Sequence, residues 1–158
     1  MLKIIIDTNV ILQMVYSPRS IDKSAARKLF DVVAGDRLKA YSCDIFYGET
    51  SRIIHTDPKL SRAKAPYVDY RLNEIMNHTC NMPMDSVNKE RMNFSWDPRN
   101  KYSINENDVY LAVMASLTKA KYVITNDRPF IDAFNDTYSL SETSACSPKK
   151  FLSMEKIF

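Results

Sequence analysis

Short apolar runs alternate with longer amphipathic stretches along this chain. Residues 3–6, Lys-Ile-Ile-Ile, form a compact run closed by Asp7-Thr8-Asn9, the pattern of a central parallel strand buried on both faces. Apolar positions resume over residues 10–15 and predict the start of a short helix. Residues 17–20 read as a loop, after which Ser20 or Asp22 is placed to cap a helix through Ala25, Leu29, Phe30 and Val33. Gly35 stands where such a helix ends.

Residues 39–42 predict a second strand, with Ser42 or Asp44 capping a helix that carries Phe46, Glu49, Ile53 and Ile54. Residues 60–78 predict one or two helices with Tyr67, Tyr70, Leu72, Ile75 and Met76 on the apolar side. A third strand is predicted at 80–84 and a short helix at 86–92. Residues 94–105, rich in Asn, Pro, Arg and Lys, read as a long loop. Asn105 or Asn107 then caps a helix through Val109, Leu111, Ala112, Ala115 and Leu117. Residues 121–125 predict a strand, and Pro129 opens one or two helical turns at 129–134. Residues 144–146 predict an edge strand, and Ser147-Pro148 starts a last helix through Phe151 and Leu152. This alternation predicts a three-layer α/β/α sandwich around a mainly parallel sheet.

That architecture gives several acids special positions. Asp7 and Asp127 each follow a predicted strand, and a parallel sheet collects the carboxyl ends of its strands on one rim. The helix bearing Asp108 in its first turn runs through a short turn into the 121–125 strand. Its start therefore lies at that same rim, although the helix dipole alone also favours an acid there. Glu49 lies beside the buried stripe of its helix, close to Phe46, Ile53 and Ile54. Clustered carboxylates repel one another unless a cation neutralises them. Hard oxygen ligands select Mg²⁺ or Mn²⁺ over zinc. Two such ions about 4 Å apart stabilise both the attacking and the leaving oxygen of an in-line phosphodiester displacement.

Composition narrows this picture. At 158 residues the chain is expected to form one domain, 1–158. Its two glycines, Gly35 and Gly48, leave no Walker-type loop or dinucleotide fingerprint. A formal charge of +3 permits nucleic-acid contact without demanding it. Cys43, Cys80 and Cys146 are odd in number and widely spaced, which reads as reduced thiols in a cytoplasmic protein. The opening apolar run is too short for a membrane span. His55 and His78 are too isolated for zinc and read as exposed helix residues.

Ile4-Ile5-Ile6-Asp7-Thr8-Asn9-Val10, the segment from Tyr41-Ser42 to Gly48-Glu49, Asp108-Val109-Tyr110-Leu111-Ala112-Val113-Met114-Ala115 and Tyr122-Val123-Ile124-Thr125-Asn126-Asp127-Arg128-Pro129-Phe130 occur in that order. Together they resemble the PIN-domain nucleases. Ser147-Pro148-Lys149-Lys150-Phe151-Leu152 is similar to that family's closing helix. The resemblance implies a Mg²⁺- or Mn²⁺-dependent ribonuclease with Asp7, Glu49, Asp108 and Asp127 as its acidic set. It also implies that Thr8, Asn9, Thr125 and Asn126 orient carboxylates and waters, although turn and capping chemistry explains Thr8 and Asn9 equally well. Many small PIN proteins are toxins blocked by a partner protein, so the resemblance implies an antitoxin and allows a homodimer.

Two departures from the family stand out. The segment 97–108 is longer than the usual Asp-Pro-to-acid link, which makes Asp97 and Glu106 competitors of Asp108. Helical register favours Asp108, because Leu111, Ala112 and Ala115 follow it on one face. Residues 60–93 carry no specific likeness. For the RNA itself, Arg52, Arg99, Lys101 and Arg128 are the candidate backbone contacts, and Tyr47 and Trp96 are candidates for base stacking. A haloacid-dehalogenase-like phosphatase needs a second acid where this chain has Asn9. A response-regulator receiver needs paired acids and a late lysine, and a flap-type DNA nuclease needs more acids and helices. The alternative outside enzymology is a catalytically inactive PIN-like module that binds RNA or protein.

Overall fold

The isoleucines of the first apolar run face alternate sides of a sheet, as the two-residue period of a strand requires. Ile4 and Ile6 enter one core and Ile5 the other. This strand, β1 (Leu2–Ile6), is central in a five-stranded sheet ordered β3-β2-β1-β4-β5. The computed structural model describes residues 1–16, 24–58, 65–96, 104–137 and 142–156. The predicted loop at 17–20, the proposed caps Ser20 and Asp22, the stretch 60–64 and the candidates Asp97, Arg99 and Lys101 lie outside those residues.

In chain order the elements after β1 are α1 (Thr8–Tyr16), α2 (Ala25–Ala34), β2 (Leu38–Cys43), α3 (Asp44–Thr56), α4 (Ala65–Asn77) and β3 (Cys80–Met82). They are followed by α5 (Met84–Asn93), α6 (Glu106–Thr118), β4 (Tyr122–Ile124), α7 (Arg128–Thr137), β5 (Ser144–Cys146) and α8 (Pro148–Met154). All four strand pairings are parallel. Leu38 and Ala40 of β2, Tyr122 and Ile124 of β4, and Cys146 join Ile4 and Ile6 in a core shared with α1, α2, α4 and α8. Cys43, Val123 and Ala145 join Ile5 in a second core under α5, α6 and α7. Helix α3 contributes Ile54 to the first core and Phe46 to the second. The molecule is thus a three-layer α/β/α sandwich. Among the described residues no helix is long and apolar enough to cross a membrane.

Three helix ends refine the sequence reading. Ser24 caps α2, its Oγ accepting the Arg27 N–H at 3.2 Å. Gly35 does end that helix, but the left-handed residue is Asp36 at φ 54°, while Gly35 stays at −86°. Neither Ser42 nor Asp44 caps α3. The cap position belongs to Cys43, with no side-chain bond, because β2 continues through it and holds Ser42 in register with Asn81. Asp44 is already helical and accepts Asn81 Nδ2 at 2.7 Å.

The reversal of strand order positions the site. From β1 the chain crosses to β2 through α1 and α2 on one face, whereas β4 connects to β5 through α7 on the other. Connections leaving adjacent strands on opposite faces open a crevice above their carboxyl ends, the usual ligand position in such sheets.

Candidate functional site

Asp7 is the first residue beyond β1, and its N–H still reaches Ile124 O across the β1–β4 seam at 3.0 Å. Its carboxyl group therefore stands at the floor of the crevice, where the residue is only 6% exposed. Two side chains hold it in place. The Thr125 hydroxyl donates to Asp7 Oδ2 at 2.6 Å and Asn9 Nδ2 donates to the same oxygen at 2.5 Å. Thr125 Oγ1 also accepts Asn9 Nδ2 at 3.1 Å and the Asp127 N–H at 3.0 Å. One fully buried hydroxyl thus joins the ends of β1 and β4.

The other acids are fixed by different devices. The Thr8 hydroxyl donates to Glu49 Oε2 at 2.9 Å, pinning α3 to the start of α1. Asp108 completes a capping box: its Oδ2 accepts the Asn105 N–H at 2.9 Å. Asp127 caps α7, with Oδ1 accepting the Phe130 N–H at 3.0 Å. In these three carboxylates one oxygen is committed and oriented. The other, Glu49 Oε1, Asp108 Oδ1 or Asp127 Oδ2, takes no hydrogen bond from a described residue.

Electrostatics ties the set together. Burial pushes the Asp7 carboxyl up to about 7, from an ordinary 3.8; Asp108 and Glu49 push the same way, while Thr125 and the Thr8 N–H pull it down. Burial likewise raises Asp108, with Asp127 and Glu49 adding to the rise and the Asn105 N–H opposing it. Asp108 therefore feels Asp127 and Glu49, and Asp7 feels Asp108 and Glu49. Even so, among the described residues no three His, Cys, Asp or Glu side chains are gathered closely enough to hold one ion. The carboxylates are coupled through their charges without forming a ready three-ligand site. As donors they are hard oxygens with uncommitted lone pairs, which fits a hard divalent cation such as Mg²⁺ or Mn²⁺ and not zinc.

Thr125 gives a direct test of this scaffold. Thr125→Val keeps the shape but strips Asp7 of a donor and leaves the Asp127 N–H without an acceptor. Loss of about 1–3 kcal/mol in urea denaturation is expected, with Thr125→Ser retaining most of it.

The remaining sequence candidates divide sharply. Glu106 is exposed, whereas Asp108 is half-buried among the acids. Arg52 is exposed one helical turn beyond Glu49, and Arg128, exposed beside Asp127, lies 3.9 Å from Asp132. Tyr47 is exposed, its hydroxyl directed to Asn73 Oδ1 at 3.4 Å. Trp96 is not a stacking surface. It is 9% exposed and meets Phe130 and Phe134 edge-on at 6.2 and 5.7 Å, filling the second core. His55 and His78 are both exposed. One contributor escaped the sequence reading: Gln13 accepts Asn126 Nδ2 at 3.0 Å. Its spacing of four from Asn9 was the available signal.

A family model for the PIN domain matches residues 4–134. The chain belongs to the PIN-domain family. The crystal structure of PAE2754 from Pyrobaculum aerophilum resembles this PIN domain with a TM-score of 0.59 at 13% identity, covering 97% of this chain and 94% of that one. The structure of VapBC2 from Rickettsia felis, bound to a DNA fragment from their promoter, gives 0.56 at 10% identity, covering 92% and 98%. At such identities the likeness is one of fold. No curated protein sequence matches the chain.

Proposed function

We propose that this PIN domain is a Mg²⁺- or Mn²⁺-dependent endoribonuclease that hydrolyses RNA phosphodiester bonds. The observation that carries the reading is the buried Asp7 carboxyl at the crevice floor, held by Thr125 and Asn9 and repelled by Asp108 and Glu49. Such crowding is costly for the empty protein and is relieved by a divalent cation. Asp7, Glu49, Asp108 and Asp127 are not gathered for one ion as they stand, and would hold it by closing on it. When bound, the ion supplies Lewis acidity and neutralises charge on the reacting phosphate.

The chain's own residues do the rest. Thr125 and Asn9 orient Asp7, Thr8 orients Glu49, and backbone N–H groups at two helix starts orient Asp108 and Asp127. Arg52 and Arg128, next to Glu49 and Asp127, would grip the RNA backbone; Arg99 and Lys101 stay candidates for the same role on sequence alone. The fold shared with VapBC2 supports a further reading, in which the chain is a cytoplasmic toxin silenced by an antitoxin partner.

The test is cleavage of labelled single-stranded RNA in Mn²⁺, Mg²⁺ or EDTA. Cleavage is expected only with the ions, and Asp108→Asn should lower it at least ~100-fold. The spacing of the carboxylates favours one rival, a non-cleaving PIN module that binds RNA or protein. A parent protein that binds RNA but leaves it intact in Mn²⁺ would decide for that rival.

A further inference from the structure

Asp127 is carried by a short turn, Thr125-Asn126-Asp127, whose two ends are tied by the sheet and by Thr125 itself. The Thr125 N–H donates to Cys146 O at 3.1 Å and the Asp127 N–H to Thr125 Oγ1 at 3.0 Å. The middle residue, Asn126, is exposed and is held from the opposite side of the crevice. Its N–H donates to Asn9 Oδ1 and its Nδ2 to Gln13 Oε1, both at 3.0 Å. Asn9 and Gln13 are one helical turn apart and so share a face of α1. That helix grows directly from the Asp7 end of β1. Backbone and side chain of one residue are thus clamped by the segment that carries Asp7, next to the residue that carries the opposing carboxylate.

From this geometry we infer that Gln13 is a positioning residue: it fixes Asn126, and through it the aim of the Asp127 carboxylate, setting how tightly the acid set binds its divalent cation. The inference rests on the metal reading of the site, whereas the clamp itself does not. With the ends of the turn tied, Asn9 holds the Asn126 N–H between them and leaves the Asn126 side chain to be fixed. Gln13 fixes that side chain, so that the middle of the turn is held at two points from α1. Groups that orient metal-binding carboxylates without touching the ion commonly govern affinity by about 10–100-fold. Gln13 itself is exposed, so its bond contributes little to global stability.

Two variants separate positioning from packing. Gln13→Leu keeps the size and removes the acceptor, while Gln13→Glu keeps an acceptor. Mn²⁺ binding is measured by titration calorimetry, amide hydrogen exchange at Asn126 by NMR, and unfolding by heat. Gln13→Leu should weaken Mn²⁺ binding about tenfold and speed Asn126 exchange, with the unfolding midpoint nearly unchanged. Gln13→Glu should restore both, and Gln13→Leu combined with Asn126→Ala should be no worse than either alone. RNA cleavage should fall at low Mn²⁺ and recover at high Mn²⁺ without a change in KM. The inference is overturned if Gln13→Leu binds Mn²⁺ like the parent while Asp127→Asn binds it weakly. A parent that binds no Mn²⁺ removes the metal reading itself, and this inference with it.

Discussion

Replacing Asp7 by Asn is expected to stop RNA cleavage and at the same time to make the metal-free protein more stable above neutral pH. The two effects share one cause. Asp7 is buried at the crevice floor beside Asp108 and Glu49, and burial holds its carboxyl near 7 against an ordinary 3.8. Between those values the folded chain retains a proton that the unfolded chain has released. Stability must therefore fall as pH rises through that window, and the loss is complete above it. At 1.36 kcal/mol per unit the loss is on the order of 4 kcal/mol. Asp108, also raised by burial and by its neighbours, adds a slope of the same sign.

Asn keeps an oxygen for Thr125 and Asn9 but carries no charge, so Asp7→Asn should remove most of the pH dependence. For a chain of this size the metal-free variant should melt roughly 10 °C above the parent at pH 8 and close to it at pH 4. Mn²⁺ should raise the parent's midpoint at pH 8 by binding the folded state, and should raise the variant's far less. Cleavage should drop on the order of 1000-fold, since the ion's contribution amounts to several kcal/mol. Thermal scans across pH with and without Mn²⁺, alongside a cleavage assay, check all four arms. A variant no more stable than the parent at pH 8 would mean that Asp7 is not strained by its surroundings.

Local signals made part of this site legible in the sequence. The apolar run before Asp7 and the matching run before Asp127 announce buried strands, and parallel pairing brings their ends together. Asn105 and Asp108 bear a capping signature three residues apart, which fixes the start of α6. Other features are settled only by packing between distant segments. Ser42 looked like a cap because capping is a local pattern, yet the register of β2 against β3 keeps it in the sheet. Trp96 sits in a stretch rich in polar residues and looked available for a base. It is the second core, through Phe130 and Phe134, that claims it. The Thr8–Glu49 bond spans 41 residues and joins two helices, so no spacing rule could announce it.

Arg71 is also a residue whose role depends on distant segments, and its removal should cost the fold heavily. In α4 it occupies the buried stripe with Val68, Leu72 and Ile75, and it is 0% exposed. Its guanidinium pairs with Glu74, stands 4.9 Å from the Phe30 ring centroid and donates from Nη2 to Met14 O at 3.4 Å. One side chain therefore fastens α4 to both α1 and α2 at the heart of the first core. Arg71→Ala deletes that volume and takes the guanidinium away from Glu74 and from Met14 O. A loss of about 3–5 kcal/mol is expected from urea denaturation. The pair is not perfectly satisfied, since Arg71 Nε has no hydrogen-bond partner among the described residues. An apolar side chain of similar length forfeits less than the truncation does, because it fills the space without a charge to desolvate. Arg71→Met should accordingly retain much of the stability that Arg71→Ala loses, and Mn²⁺-dependent cleavage by the folded fraction should persist in both. Equal losses in the two variants would show that the charge, and not the packed volume, anchors α4.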